Sequence, residues 1–270
     1  MSSAVQRQRV IAGEDLAKPE LIDLASGRAA LYSSRSPEKD SGNEDAIGVF
    51  AVDGSRVLLA VADGMGGAAA GARASAEALG SVQRSVCPRD GEETPRPPVL
   101  DAFDDANRRV LGLGVGAATT LCLAEVEGDQ LRLYNVGDSA ALLVGQRGKL
   151  KLQTIAHSPV GYALESGLLD ETEALHHDER HVVSNVIGSR DMRIDVGSPM
   201  RLAPRDTVLL GSDGLFDNIS LDEIIACIRC GPLDEAAQRL LEISIQRMRS
   251  PAEGEPSKPD DLSFVLYRIC

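Results

Sequence analysis

The chain has 270 residues, of which 43% are hydrophobic and 26% are charged, values typical of one or at most two globular domains with a sizeable core. Its 41 Asp and Glu residues exceed its 28 Lys and Arg residues and leave a formal net charge of −13, which repels a nucleic-acid backbone. An aromatic fraction of 3% and the lack of Trp also disfavour a surface on which bases stack.

The cysteines and the N-terminal residues predict a cytoplasmic protein that does not enter a membrane. The five Cys residues are an odd number at irregular spacings, and the first residues contain no apolar run of the kind that opens a secretory signal. No apolar segment approaches the roughly 20 residues needed to cross a bilayer. The pair Cys227 and Cys230 lies within a helical pattern and has no second pair to complete a zinc site, so we expect reduced, mostly buried thiols.

The predicted elements begin with a polar N-terminal region. Residues 1–30 predict an arm or an edge strand, and residues 31–270 predict a single domain. Short hydrophobic runs bounded by Gly and Asp then predict β-strands at 46–52, 56–62, 118–126, 130–136, 139–145, 149–155, 194–202, 206–211 and 262–269. Tight connections such as Asp53-Gly54 and Gly128-Asp129 favour antiparallel hairpins.

Helical periodicity is confined to four longer segments. They lie at 68–86, 99–111, 220–229 and 233–248, and Ser220 is expected to cap the third. Two Pro-containing polar segments, 87–98 and 251–259, predict exposed loops. The pattern as a whole predicts an α+β fold in which helices cover antiparallel sheets.

Acidic residues stand at the ends of several predicted strands. A single Asp-Gly after a strand is most often only a turn, but five such positions on rigid strands point to a common site. Carboxylates gathered at one end of a sheet stay ionised only if cations lie among them, and an all-oxygen set without His or Cys suits Mg²⁺ or Mn²⁺. The acidic positions are Glu44-Asp45, Asp63, Asp138, Asp213 and Asp260-Asp261.

The glycine-rich run at residues 63–67, followed by an Ala-rich helix, admits a second interpretation as a phosphate-binding loop. The run lacks the Gly-Lys-Ser/Thr ending of such loops, and Asp63 at its head would repel a phosphate. Gly64 has another use, because a residue without a side chain lets the backbone approach and turn a carbonyl toward a metal.

Taken together and in order, these motifs resemble those of the metal-dependent PPM, or PP2C-type, protein Ser/Thr phosphatases. The Met65 in the glycine-rich motif resembles the bacterial branch of that family. The similarity extends over about residues 40–268. It implies a four-layer sandwich of two central antiparallel β-sheets flanked by α-helices, with a binuclear Mn²⁺ or Mg²⁺ site at one end. The motifs are Gly42-Asn43-Glu44-Asp45, Asp63-Gly64-Met65-Gly66-Gly67, Gly116-Ala117-Ala118-Thr119-Thr120, Gly137-Asp138-Ser139, Ser212-Asp213-Gly214-Leu215-Phe216-Asp217 and Asp260-Asp261-Leu262-Ser263.

The resemblance implies a role for each matching residue. Asp63 would bridge the two ions, Asp213 and Asp260 would bind the first, and the Gly64 carbonyl with Glu44 would bind the second. A water between two such ions is activated for in-line attack on phosphorus without a phosphoenzyme.

Two further carboxylates of the family pattern are present. Asp45 would be a metal ligand or hold a metal-bound water, and we expect Asp45, Asp63 and Asp213 to be the catalytic carboxylates. Asp138 matches the aspartate that, with the one at Asp213, holds a weaker third metal in bacterial members. Asp217 is expected to be a turn or cap residue.

The chain departs from the family where the substrate phosphate is held. The family usually carries an Arg four residues before the acidic pair, and Asp40 stands there instead. Arg35 or Lys39 would bind the phosphate if the loop at 33–42 folds back, and the alternative is that both are solvated surface charges. The general acid is also open: Met65 cannot supply a proton, and the four His residues of the segment 157–190 are expected to be structural or exposed.

The expected function is hydrolysis of phosphoserine and phosphothreonine on proteins by a cytoplasmic, monomeric signalling phosphatase, whose substrates are made by a Ser/Thr kinase. One alternative is a catalytically weak or inactive regulator of the same fold that binds a phosphoprotein or kinase, which the Asp at position 40 keeps open. Another is a phosphohydrolase that acts on small molecules.

Overall fold

A computed structural model describes residues 8–86, 99–114 and 116–269, so the predicted loop at 87–98 lies outside the described residues, as do Cys87 and Cys270. The strands, in chain order, are β1 (Gln8–Ala12), β2 (Glu20–Leu24), β3 (Gly27–Ser34), β4 (Ala46–Ala51), β5 (Arg56–Ala62), β6 (Gly64–Met65), β7 (Ala118–Thr119), β8 (Leu121–Glu127), β9 (Gln130–Val136), β10 (Ala140–Val144), β11 (Leu150–Gln153), β12 (Asp195–Val196), β13 (Met200–Arg201), β14 (Thr207–Gly211) and β15 (Leu262–Ile269). The helices are α1 (Ala68–Val86), α2 (Val99–Leu113), α3 (Pro159–Glu165), α4 (Glu171–Leu175), α5 (Asp213–Phe216), α6 (Leu221–Ile228) and α7 (Leu233–Arg249). None of the helices in these ranges is long and apolar enough to span a membrane.

Two large antiparallel sheets form the centre of the fold. The first has the strand order β1-β4-β5-β8-β9-β12, and β13 also pairs with β9. The second has the order β11-β10-β14-β15-β3-β2, and β6 and β7 form a separate two-stranded ribbon. The antiparallel hairpins predicted from the short turns are confirmed.

The alternation of side chains along each strand produces the layers. In β5, Leu58 and Ala60 pack against α1 and α2, whereas Leu59 and Val61 point the other way into the core between the two sheets. In β15 of the second sheet, Phe264 packs with the residues of α6 and α7, whereas Val265 and Tyr267 point into the core between the sheets. The predicted four-layer sandwich of helices, sheet, sheet and helices is thereby confirmed.

The helices follow the expected amphipathic spacing. In α1, Ala74, Ala78 and Val82 recur every four residues on the buried face, and their small side chains let the helix lie close to the first sheet. At the start of α6, the Ser220 side chain accepts a hydrogen bond from the Glu223 backbone, and the Glu223 side chain accepts one in return. This reciprocal pair confirms the predicted cap.

Two segments differ from the simple strand pattern. The predicted strand at 194–202 is divided into β12 and β13, with Gly197 and Pro199 between them; Pro199 has no N–H to donate to a sheet. Residues 8–30 contribute two edge strands, β1 and β2, and the first part of β3, which lies inside the second sheet between β15 and β2. Small residues of β3 such as Ala29 and Ala30 are fully buried although they carry little hydrophobic signal.

The backbone is closely packed around Gly64, which follows the end of β5. A Cβ atom there would lie 2.2 Å from the Gly71 carbonyl oxygen and 2.6 Å from that of Glu44, and both are backbone atoms that cannot swing away. We therefore expect Gly64→Ala to lower the free energy of unfolding by about 1–3 kcal/mol in urea denaturation. The control is Gly54→Ala, where a Cβ would meet no atom within 4 Å. Equal losses in the two variants would contradict this account.

Candidate active site

Strand register brings the acidic residues to one edge of the sandwich. In the first sheet, Ala46 pairs with Ala62, so Asp45, just before β4, and Asp63, just after β5, lie next to each other. In the second sheet, Gly211 pairs with both Ala140 and Phe264, which places the ends of β14, β10 and β15 together. We call the group gathered there the acidic cluster, and it consists of Asp45, Asp63, Asp138, Asp213, Asp217 and Asp260.

A hydrogen bond joins the two sheets inside this cluster. The hydroxyl of Ser212, which is fully buried at the end of β14, donates to Asp45 Oδ2 at 2.9 Å. The same hydroxyl accepts from the Ser263 backbone N–H at 3.1 Å, so Ser212 also fixes the start of β15. The contact aligns carboxylates that come from different sheets.

The backbone of Asp63 is held by two threonines. Its N–H donates to Thr120 Oγ1 at 2.8 Å, and its carbonyl oxygen accepts from the Thr119 hydroxyl at 2.7 Å and from the Thr120 N–H at 2.9 Å. From the sequence, both threonines are expected only to pack near the core. Their additional role is to fix Asp63, and the pairing of Gly64 with Thr119 in the β6–β7 ribbon extends that support.

The carboxylates oppose one another electrostatically. Burial raises the pKa of Asp63 well above its ordinary value, and the negative charges of Asp45 and Asp213 raise it further. Burial followed by the charge of Asp213 raises the pKa of Asp138 to about 7, and the same two causes raise the pKa of Asp217 and of Asp260 to about 6. Without further positive charge, the cluster therefore tends to bind protons near neutral pH.

The donor set fits hard divalent cations. Asp45 Oδ1 and Asp213 Oδ1 are buried and have no hydrogen-bond partner among the described residues. A buried carboxylate oxygen without a partner is costly unless a cation approaches it. All the donors offered here are oxygens, which Mg²⁺ and Mn²⁺ prefer. The residues present thus fit these two ions.

Two lysines supply positive charge at separate places. Lys39 Nζ lies 2.6 Å from Glu44 Oε2 and 2.7 Å from Asp261 Oδ2. Lys258 Nζ bonds to Asp213 Oδ2 and lies 2.9 Å from Asp217 Oδ2. Burial alone would lower the pKa of each lysine, but the adjoining carboxylates outweigh it and hold both pKa values above the ordinary range.

The two predicted phosphate-binding residues lie in different surroundings. Lys39 contacts Glu44, beside the predicted metal ligand Gly64. Arg35 instead donates from Nε to Asp15 Oδ2 at 2.7 Å, and its side chain is 43% exposed. The loop therefore brings Lys39 to the acidic edge, while the Arg35 guanidinium is engaged with Asp15.

The sequence interpretation missed Lys258, the contacts that Asp261 makes with the loop at Ser36 and Glu44, and the positioning roles of Thr119 and Thr120. Lys258 stands two residues before Asp260, and this closeness in sequence of a cation to an acidic pair could have identified it. Asp261 is almost completely buried and accepts hydrogen bonds from the backbones of Ser36 and Glu44. It holds the loop that carries Lys39.

His157 supports the turn that carries Asp138. Its Nδ1 accepts a hydrogen bond from the Gly137 N–H at 3.1 Å, and its Nε2 lies 3.0 Å from Asp195 Oδ2. The ring is buried, which agrees with the expected structural role. Farther along this segment His177 is half-buried and His181 is exposed, and the exposed His176 bonds to the Thr172 carbonyl oxygen.

A cavity of about 430 Å³ adjoins the acidic cluster. Asp138, Asp213 and Asp217 line it on the side of the cluster. Val160 and Leu164 of α3 line it as well, so the cavity combines carboxylates with apolar surface. It offers space for a side chain next to a group held at the carboxylates.

Comparison with known proteins gives a consistent result. The family model described as Protein phosphatase 2C matches residues 35–243. The chain is 31% identical over 217 residues to a putative protein phosphatase 2C-type of Streptococcus pyogenes serotype M6, a match that covers 77% of this chain and 87% of that protein.

Solved structures show the same similarity. The S. agalactiae serine/threonine phosphatase has a TM-score of 0.75 and 27% identity, covering 90% of this chain and 99% of that one. The catalytic domain of the serine threonine protein phosphatase PstP, in complex with 2 manganese ions, has a TM-score of 0.70 and 25% identity, covering 90% and 98%.

The raised pKa values predict how the metal-free protein responds to pH. Asp138, Asp217 and Asp260 have higher pKa values when folded than when unfolded, so they stabilise the fold at low pH. That contribution is lost as pH rises through about 6 to 7. We expect the thermal midpoint in excess EDTA to decrease as the pH rises from about 5 to about 8, the window that follows from these pKa shifts. Excess Mn²⁺ should offset this decrease.

The control for this measurement is a pair of variants. Asp138→Asn, which removes one of the titrating groups, should flatten the fall in EDTA, whereas Asp104→Asn, an exposed position on α2, should leave it unchanged. A midpoint in EDTA that stays constant or rises with pH would contradict the electrostatic description.

Proposed function

The chain belongs to the protein phosphatase 2C family and is a serine/threonine protein phosphatase, and we propose that it works with two divalent ions, Mn²⁺ or Mg²⁺, held at the acidic cluster. Phosphatases of this family are metal-dependent. The observation that carries the proposal is the pair of buried oxygens, Asp45 Oδ1 and Asp213 Oδ1, that have no hydrogen-bond partner among the described residues.

The proposed ligands come from both sheets. Asp63 would bind both ions, Asp213 and Asp260 would complete the first site, and Glu44 with the Gly64 carbonyl would complete the second. The close packing of Gly64 against the backbone carbonyls of Gly71 and Glu44 supports this assignment, because it places the Gly64 backbone next to Glu44. Asp138, which faces the charge of Asp213, is not assigned to either of these two ions and would be a ligand only where a further, weaker site is filled.

The chemistry is hydrolysis by direct attack of water in line with the leaving group. When bound, the two ions would lower the pKa of a water and offset the charge on the phosphoryl oxygens. Asp45 has one oxygen fixed by Ser212 and the other free, so it is suited to orient that water. Thr119 and Thr120 keep Asp63 in place throughout. No covalent phosphoenzyme is part of the proposal.

Lys39 is the residue we propose to bind the substrate phosphate. Its ammonium lies 2.6 Å from Oε2 of Glu44, a proposed metal ligand. From there it would form a charge-assisted hydrogen bond with a phosphate oxygen. Arg35 is the second candidate, and its guanidinium would first have to leave Asp15.

The substrates are phosphoproteins, and we propose that a Ser/Thr kinase produces them. The cavity beside Asp138 and Asp213 would receive a side chain next to the phosphorylated residue. The net charge of −13 supports the absence of nucleic-acid binding. The odd number of cysteines, with Cys122, Cys227 and Cys230 free, supports a cytoplasmic location, and we propose a monomer that does not bind membranes.

Metal dependence is tested with phosphothreonine peptides and p-nitrophenyl phosphate. We expect turnover only with Mn²⁺ or Mg²⁺, and we expect Asp213→Ala to lower kcat/KM by at least about 100-fold, since a metal ligand is lost. Asp104→Asn is the matched control and should retain full activity.

Each other outcome has a distinct meaning. Activity that survives both EDTA and Asp213→Ala would overturn the metal-dependent mechanism. Metal binding without turnover of any phosphopeptide would favour the inactive regulator, and a preference for metabolite phosphates would favour a small-molecule phosphohydrolase.

The phosphate-binding proposal separates Lys39 from Arg35. At saturating Mn²⁺, we expect Lys39→Met to lower kcat/KM for a phosphopeptide by roughly 10- to 100-fold, mainly through a higher KM, because a charge-assisted hydrogen bond is lost. Arg35→Met should change it by less than about twofold, as expected of an exposed ion pair. The reverse order of effects in steady-state kinetics would assign the phosphate to Arg35.

A further inference from the structure

Lys258 places a positive charge inside the acidic cluster. Its ammonium bonds to Asp213 Oδ2, lies 2.9 Å from Asp217 Oδ2 and lies 3.5 Å from Asp260 Oδ2. The side chain is only 20% exposed, so solvent screens these contacts poorly. One ammonium thus serves three carboxylates at this end of the cluster.

The backbone around Lys258 is fixed. Its N–H donates to Asn218 Oδ1 at 2.8 Å, and its carbonyl oxygen accepts from Asn218 Nδ2 at 2.8 Å. Asn218 is fully buried behind α5. The preceding Ser257 carbonyl oxygen accepts from Arg180 at 3.0 Å. The Lys258 side chain therefore starts from an anchored position, and its reach into the cluster is a defined feature of the fold.

The two oxygens of Asp213 are used differently. Oδ2 is bonded to Lys258, whereas Oδ1 is buried and has no hydrogen-bond partner among the described residues. Asp217 has its Oδ2 oxygen 2.9 Å from the same ammonium. Asp213 Oδ1 is therefore available to a divalent ion, whereas Asp213 Oδ2 and Asp217 Oδ2 already have the Lys258 ammonium beside them.

We propose that Lys258 is a tethered cation that occupies the Asp213–Asp217 end of the cluster and keeps a further divalent ion from binding there. The inference rests on the proposed two-ion site and adds to it a limit on the number of ions. A like charge a few ångströms away disfavours a second cation strongly in a partly buried site. The same ammonium stabilises the carboxylates when no divalent ion is bound.

The test counts Mn²⁺ ions on the full chain after removal of metal with EDTA. Isothermal titration calorimetry, with electron paramagnetic resonance of free Mn²⁺ as a second readout, should give two ions for the wild type. Lys258→Met, which keeps the length of the side chain and removes its charge, should bind one more ion, with an affinity at that site at least about tenfold above the wild type.

Controls separate charge from packing. Lys258→Arg retains a cation and should bind two ions, and Lys149→Met, at an exposed position, should also bind two. Lys258→Gln provides a second neutral variant if Lys258→Met does not fold. The thermal midpoint gives an independent readout: the neutral variants should be less stable than the wild type in EDTA and should recover with excess Mn²⁺.

The possible results are distinguishable. The same number and affinity of ions in the wild type and the neutral variants would overturn the proposal. Tighter binding of two ions without an additional one would also overturn it, because Lys258 would then compete at the two-ion site itself. A wild type that binds no Mn²⁺ would refute the proposed metal-dependent function, and this inference with it.

Discussion

The repulsion among carboxylates at one edge of the sandwich is the constraint on which the rest of the structure depends. Six aspartates meet there, and burial together with their mutual charge raises the pKa of those at its centre. Such a cluster forms only on a scaffold that does not yield. Backbone hydrogen bonds to Thr119 and Thr120 and the buried hydroxyl of Ser212 resist the repulsion locally.

The wider fold supplies the rigidity that these local bonds need. Three apolar layers, one between the sheets and one under each set of helices, hold the strands in a single register. Register decides which residue reaches the edge, because a shift of one position would turn each strand's side chains to the opposite face. The position of the acidic cluster is thus a consequence of packing far from it.

Much of this arrangement could be predicted from local sequence. Alternating apolar residues located β5 and β15, and acidic residues at their ends marked Asp63 and Asp260. The partners of those residues could not be located in the same way. Lys258 contacts Asp213, which is 45 residues away in sequence, and β3 lies inside the second sheet because it pairs with β15, so both depend on long-range contacts. The roles of individual site residues rest on the family resemblance and remain proposals.

The origin of the proposed ligands has a mechanical consequence. Glu44 and Asp63 adjoin β4 and β5 of the first sheet, whereas Asp213 and Asp260 adjoin β14 and β15 of the second. Ions shared between the two pairs would act as a cross-link between parts of the chain that are distant in sequence, much as a staple closes a long loop. Binding of the ions would then stiffen the contact between the two sheets. The same event that prepares the site for catalysis would make the sheets more resistant to sliding past each other.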